Sequence, residues 1–299
     1  MSPTSEPRLD VLKTYKLFIN GQFPRSESGR TLPIKGPDAS IIAHASHASR
    51  KDLRDAVLAA RAGLAKWSSA TAYNRGQVLY RLAEMLQTRR DEFVHLARLD
   101  PTRLSGADAL TPAQEVDAAV DRLVYYAGFA DKIAQVLGSA NAVNGPYWNI
   151  TQPQPVGVLA LALPADAPAL LALISLLAPA LAAGNAVVVL SAAFAPTVST
   201  LGEAIATSDL PPGTCNLLTA PLEELAPIAA KHRDIDGLLS ITTPATAALI
   251  TTLREGVAEN LKRVHVFDPA PFTDTAAWHS LRCLEPCVEY KTVWHPVGT

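Results

Sequence analysis

Charge is scarce in this chain. Asp, Glu, Lys and Arg make up 18% of its 299 residues, below the quarter or so that is usual for soluble proteins. Residues 167–202 carry no charged side chain at all. Such a deficit means either a surface covered by a partner or a chain in a membrane. The uncharged stretch is long enough to span a bilayer, but Pro168, Pro179, Gly184-Asn185 and Pro196 interrupt it. Breaks at that spacing suit helix, turn, strand and loop in a buried core, so no membrane is expected. Basic runs are also missing and the formal net charge is −2, which argues against nucleic acid as the main partner. Cysteine is sparse. Cys215, Cys283 and Cys287 make no disulfide framework, and "MSPTSEPRLD" has no signal-peptide pattern. A cytoplasmic protein is expected.

What is present is periodicity. In "YKLFINGQFPRSESGRTLPI", residues 15–34, Tyr15, Leu17 and Ile19 alternate before Asn20-Gly21, which predicts a hairpin. Val57, Ala60, Leu64 and Trp67, then Val78, Leu79, Leu82, Met85 and Leu86, recur at helical spacing. A further helix is expected from about Glu115 to Leu137, and a hairpin standing apart from the core over 139–154. The second half alternates. Apolar runs at 156–162, 186–190, 216–219, 235–239 and 263–267 are separated by helical stretches. Apolar strands between helices call for a sheet covered on both faces, and right-handed crossovers make it a doubly wound α/β, Rossmann-like sheet. After Pro269 a loop leads to one short strand in which Val288, Tyr290, Thr292 and Trp294 alternate.

Several blocks, in order, resemble the aldehyde dehydrogenase superfamily: "KLFINGQF", "RLVYYAGFADKI", "QPVGVLALALPADAP", "LAPALAAGNAVVVL", "SDLPPGTCNLLT" and "NLKRV". The likeness covers nearly all of residues 15–270, and the tail "VEYKTVW" resembles the strand that closes a typical member. The resemblance implies a dinucleotide domain, a catalytic domain with a cysteine nucleophile, and an oligomerisation flap. The catalytic domain would fall between about 271 and 286 and is missing there. Residues 1–137 with 155–270 are thus expected to form one domain, N-terminal hairpin and helices plus Rossmann-like sheet. Residues 138–154 with 286–299 are expected to form the β flap, its interface residues being Tyr147, Trp148, Ile150, Val288, Tyr290, Thr292 and Trp294.

The same resemblance implies a site, and each position in it is altered. The family's nucleophile follows a Gly-Gln pair; Cys283 in "SLRCLEP" and Cys287 in "EPCVEY" lack that context, and no clear base or cation site stands out to lower either thiol. Cys215 reads as core. Asp166 stands where a Trp-Asn-Phe block supplies an oxyanion donor. An ionised carboxylate has no proton to donate, and loss of one such donor costs about 3 kcal/mol. Asp166 reads instead as an N-cap before Pro168. In "VFDPA", Phe267 replaces the water-activating Glu, and Asp268 is one residue off, on the opposite face of a strand. Leu190 and Ala193 replace the Lys and Glu that hold the adenosine ribose, and Thr242-Thr243-Pro244 replaces the Thr-Gly-Ser turn that meets the pyrophosphate. His279, Cys283, Cys287 and His295 lack the paired spacing of a zinc site, so no metal is expected.

These losses predict a non-catalytic aldehyde dehydrogenase-like subunit or scaffold, not an enzyme on its own, a pseudoenzyme with no cofactor beyond weak NAD binding. It would act as a homo-oligomer or in a hetero-complex with an active aldehyde dehydrogenase, through its flap. The alternative is an NAD(P)-dependent aldehyde oxidoreductase with altered chemistry.

Overall fold

The computed structural model describes residues 11–102, 110–268 and 272–297. Pro269, Ala270 and the "MSPTSEPRLD" segment lie outside the described residues. Strands β1 (Thr14–Tyr15), β2 (Thr31–Lys35) and β3 (Ile41–Ser46) form a small sheet in the order β1-β3-β2. The expected hairpin over 15–34 is therefore not one unit. Asn20 and Gly21, both at positive φ, close a tight turn in which Ile19 and Gln22 exchange backbone hydrogen bonds. The hairpin proper is β2–β3. Phe18 instead exchanges backbone hydrogen bonds with Leu217.

Four long helices follow: α1 (Arg50–Ser69), α2 (Ala72–Thr88), α3 (Arg90–Leu99) and α4 (Pro112–Phe129). Helix α1 starts at a capping box, in which the Ser49 hydroxyl accepts from the Asp52 amide and the Asp52 carboxylate accepts from the Ser49 amide. Thr111 and Gln114 repeat the device at α4. A 3-10 turn carries the chain into the short α5 (Ile133–Leu137). A second small sheet begins with β4 (Ser139–Asn141) and β5 (Tyr147–Pro155).

The central unit is β6 (Val158–Leu163), α6 (Ala169–Ala182), β7 (Ala186–Ser191), α7 (Ala195–Ile205), β8 (Cys215–Thr219), α8 (Leu222–Lys231), β9 (Gly237–Ile241), α9 (Ala247–Gly256) and β10 (Arg263–Phe267). Its five strands are all parallel, in the order β10-β9-β6-β7-β8. This is the doubly wound, Rossmann-like α/β sheet that the alternation predicted. Side chains alternate between two cores, as a strand period of two requires. Val158, Ala160 and Ala162 pack with α1, α8 and α9. Leu159, Leu161 and Leu163 pack with α6 and α7, and beyond them with α2 and α4. Every residue of α6 is buried, which explains the absence of charge there. Its C-terminus closes at Gly184, at positive φ, with Asn185 N–H reaching back to the Ala180 carbonyl.

The tail is more structured than its loop-like composition suggested. Helices α10 (Thr275–Trp278) and α11 (Leu281–Leu284) lead to β11 (Val288–Pro296), which pairs antiparallel with all of β5. Trp278, Cys283, Leu284, Cys287 and Val288 enter the larger core. They are held by Tyr126, whose hydroxyl donates to the Trp278 carbonyl at 2.5 Å. The buried Arg122 guanidinium donates to Ser175 Oγ and to the Phe272 carbonyl, and lies over the Trp278 ring. Burial pulls Arg122 down to about 10.

Close backbone approach ties α1 to the chain before β8. A Cβ at Gly63 would lie 2.5 Å from the backbone of Gly213 and Thr214. Neither helix nor loop has a flexible side chain there to give way. Gly63→Ala is expected to lower stability by about 1–3 kcal/mol, read as a lower urea midpoint at unchanged slope.

Candidate functional site

In an open parallel sheet, ligands bind outside the carboxyl ends of the strands, where the strand order reverses. Here the chain runs β6-β7-β8 to one side and returns through β9 and β10 on the other. The reversal lies between β6 and β9, so the loops after them, Pro164–Pro168 and Thr242–Thr246, form the crevice. Beside it is a cleft of about 460 Å³, lined by Lys35, Thr102, Ala165, Ser191 to Ala195, Thr219, Glu223 and Ala245 among others.

Asp166 bridges the crevice. Its Oδ2 accepts from the Ala245 backbone N–H at 3.2 Å, across the strand reversal. It does not cap the helix after Pro168, as its position suggested. Helix α6 has no side-chain cap; its first turn is buried and apolar, and the carboxylate turns toward the more exposed start of α9. The other oxygen, Oδ1, is buried without a hydrogen-bond partner among the described residues. A second donor of the turn, the Thr243 N–H, is taken by Thr246 Oγ1 at 2.9 Å, and that hydroxyl can itself donate to the Ile241 carbonyl. Thr242 N–H goes to the Phe267 carbonyl. The backbone donors that a phosphate meets at a helix start are thus engaged within the chain, one of them by an anion.

The remaining expected positions separate. Leu190 is 1% exposed and packs in the core with Val188 and Leu218, away from the cleft. Ala193 lines the cleft, and its N–H donates to Ser191 Oγ. Phe267 points into the tail-side core, 4.5 Å from the His265 ring and 5.9 Å from that of Trp278. A second groove, about 560 Å³, runs along β10 and is lined by His265, Asp268, Trp278, Arg282, Cys283 and Glu285 among others. All three cysteines are buried, and burial pushes the Cys283 and Cys287 thiols up. His279 stacks on Tyr125, and Cys287 Sγ lies against the Cys283 carbonyl. Of the flap positions, Tyr147, Trp148, Tyr290, Thr292 and Trp294 are exposed, Ile150 is half-buried, and Val288 is buried in the chain's own core.

Lys35, Thr102 and Glu223 were missed because they reach the cleft from segments with no motif of their own. Ser191 had a signal: it ends an apolar strand at the carboxyl side of the sheet.

A doubly wound sheet with a crevice at its strand reversal is the general form of a nucleotide-binding α/β protein. Residues 24–266 match the aldehyde dehydrogenase family, and the chain belongs to that family. It is 32% identical over 88% of its length to retinal dehydrogenase 2 of Homo sapiens, and 32% identical over 83% to aldehyde dehydrogenase, cytosolic 1 of Elephantulus edwardii. Among solved structures, PnpE from Pseudomonas sp. WBC-3 superposes with a TM-score of 0.76 at 26% identity, covering 85% of this chain and 50% of PnpE. PnpE in complex with nicotinamide adenine dinucleotide superposes equally, at 25% identity over 84% of this chain. The chain spans about half the length of the curated relatives it matches.

Two expectations are corrected by these relatives. The reading as a pseudoenzyme fails, because the proteins that share most of this chain are dehydrogenases by name. The expectation of no cofactor fails likewise, since a neighbour of this fold is solved with NAD. Fit to that dinucleotide is divided. The cleft has room for a nucleoside between mostly apolar walls, but the start of α9 as it stands does not fit a phosphate, because the Asp166 carboxylate is there. Among the described residues no helix is long and apolar enough to cross a membrane, and relatives include both a cytosolic and a mitochondrial protein by name.

His265, in the groove beside Phe267, has its pKa lowered from 6.5, chiefly by burial and further by Arg282. His232 and His279 are lowered for the same first cause. The unfolded chain therefore takes up protons that the fold refuses. This stability is complete above the unfolded value of 6.5 and is lost as pH falls through the lower folded values. Urea midpoints at about pH 7.5 and about pH 5.5 are expected to fall on acidification, and His265→Gln is expected to make the fall shallower.

Proposed function

We propose that this chain is the nucleotide-binding part of an NAD(P)-dependent aldehyde oxidoreductase with altered chemistry. The observation that carries the reading is the crevice between the loops after β6 and β9, in a fold that matches NAD-bound PnpE over 84% of the chain. Chemistry is altered because Asp166 brings a negative charge to the crevice, where the family resemblance implies an amide donor, and because Phe267 brings an apolar ring where it implies a base. The adenosine end has no charged handle at Leu190 or Ala193. It must rely on apolar contact and on Ser191, Thr219, Lys35 and Glu223.

We take the division into a body, 1–137 with 155–270, and a flap, 138–154 with 286–299, as part of the same proposal. The flap serves assembly, as a homo-oligomer or with an active aldehyde dehydrogenase. Support comes from Tyr147, Trp148, Tyr290 and Trp294, four large aromatic side chains of one small sheet that are all exposed.

Calorimetric titration with NAD and with NADP tests the cofactor. Saturable binding is expected, about a hundredfold weaker than in a relative with both handles, because each lost charged hydrogen bond is worth about 1.5 kcal/mol or more. Asp166→Asn is expected to tighten binding about tenfold, equivalent to about 1.4 kcal/mol of relieved repulsion. No heat from either nucleotide with either protein would overturn the reading.

A further inference from the structure

Most buried polar atoms in a protein find a hydrogen-bond partner, and one that does not calls for an explanation. Two such atoms are neighbours in the tail-side core. Arg122 and Trp278 are each 2% exposed. Among the described residues, neither the Arg122 Nε–H nor the Trp278 Nε1–H meets an acceptor. The guanidinium carbon is 5.3 Å from the centre of the indole ring, so the two donors share one small region. Trp67 shows the ordinary arrangement: equally deep in the core, it donates to the Leu181 carbonyl at 3.0 Å.

The charge of Arg122 is as unmet as its N–H. Its other nitrogens donate to Ser175 Oγ and to the Phe272 carbonyl, both neutral, and the Ser175 hydroxyl gives its own proton to the Leu171 carbonyl. The ionisable groups that bear on it are Tyr126 and Cys283. Burial pushes both of these up, so both are uncharged at neutral pH. The guanidinium, pulled down only to about 10, stays charged there. A buried charge is ordinarily paired, and no carboxylate among the described residues pairs with this one. A water molecule would accept both N–H groups, but it brings no charge and needs acceptors for its own protons. A phosphate brings a second negative charge with nothing to meet it. One spherical monoanion answers both deficits, since it accepts from the two N–H groups and neutralises the one cation. The surrounding wall is aromatic: Phe272 stacks on Trp278 at 5.1 Å, and Tyr126 sends its hydroxyl to the Trp278 carbonyl. Ring edges carry partial positive charge and suit such an ion.

We propose that Arg122 and Trp278 form a buried site for a halide-sized monovalent anion, chloride in ordinary solution, which locks the tail onto the body. The guanidinium comes from α4 and the indole from α10, so an ion held between them joins the two. Trp278 and Cys283 also line the groove along β10, which gives the ion its way in. The site is apart from the crevice after β6 and β9, and it stands whether or not a dinucleotide binds there.

Urea midpoints of the full chain, measured against chloride at constant ionic strength with gluconate as the balancing anion, test the site. Above an onset set by the affinity, the midpoint is expected to rise with the logarithm of chloride concentration, as mass action requires for an ion bound only by the folded chain. Trp278→Phe keeps a ring and removes the N–H. It is expected to move the onset to about tenfold higher chloride, the worth of one charged hydrogen bond. Crystals of the unaltered chain grown in bromide are expected to show an anomalous peak within hydrogen-bonding distance of both nitrogens. A midpoint that ignores chloride, that climbs in proportion to concentration, or that has the same onset in both proteins overturns the proposal. So does density between the two nitrogens that carries no bromide signal, which marks a water.

Discussion

Helix α6 has no side facing water, and the rest of the architecture is arranged around that constraint. All of its residues are buried, so it needs cover along its entire circumference. The parallel sheet covers one side through Leu159, Leu161 and Leu163; α2 and α4 cover the other through Leu82, Leu86, Leu123 and Tyr126. Helices α2 and α4 are thus a fourth layer, required by the apolarity of the third. The tail then seals the remaining flank with Trp278, Leu284 and Val288. The buried Arg122 is tolerated there because Ser175, the Phe272 carbonyl and the Trp278 ring each take part of it.

Most of this was legible in the residues. Strand and helix alternation over the second half located the five strands to within a residue or two, because a buried parallel strand leaves a continuous apolar run. The Gly184-Asn185 stop and the Asn20-Gly21 turn were legible because both use positive φ. What could not be read was partnership across distance. Asn20-Gly21 turns the chain, but the strand that Phe18 meets is nearly two hundred residues away. Asp166 had the local grammar of a helix cap, yet its carboxylate lies against the loop after β9. Local pattern ranks the options for a side chain; the tertiary neighbour decides among them. The short helices at Thr275–Trp278 and Leu281–Leu284 were missed for the same reason, since each is about one turn long and is held by burial rather than by its own periodicity.

The crevice is a product of the family framework. Strand order, loop placement and cleft follow from the sheet and are retained. Of the residues singled out by the resemblance, Asp166 lies in the crevice and Ala193 lines the cleft beside it, while Leu190 and Phe267 are buried in the two cores. Leu190 marks the distinction well. Its side chain packs in the core, and a charged residue there would bury its charge.

One side chain has a wider reach than its size suggests. Asn185 accepts from the Gly157 N–H and donates to the Ala180 and Cys287 carbonyls. It thus joins the end of α6, the root of β6 and the root of β11. The flap is clamped to the body at the amino ends of the strands, while the crevice opens at their carboxyl ends, about 20 Å away along β6. The molecule is in effect a cantilever, fixed at one end of the sheet and open at the other.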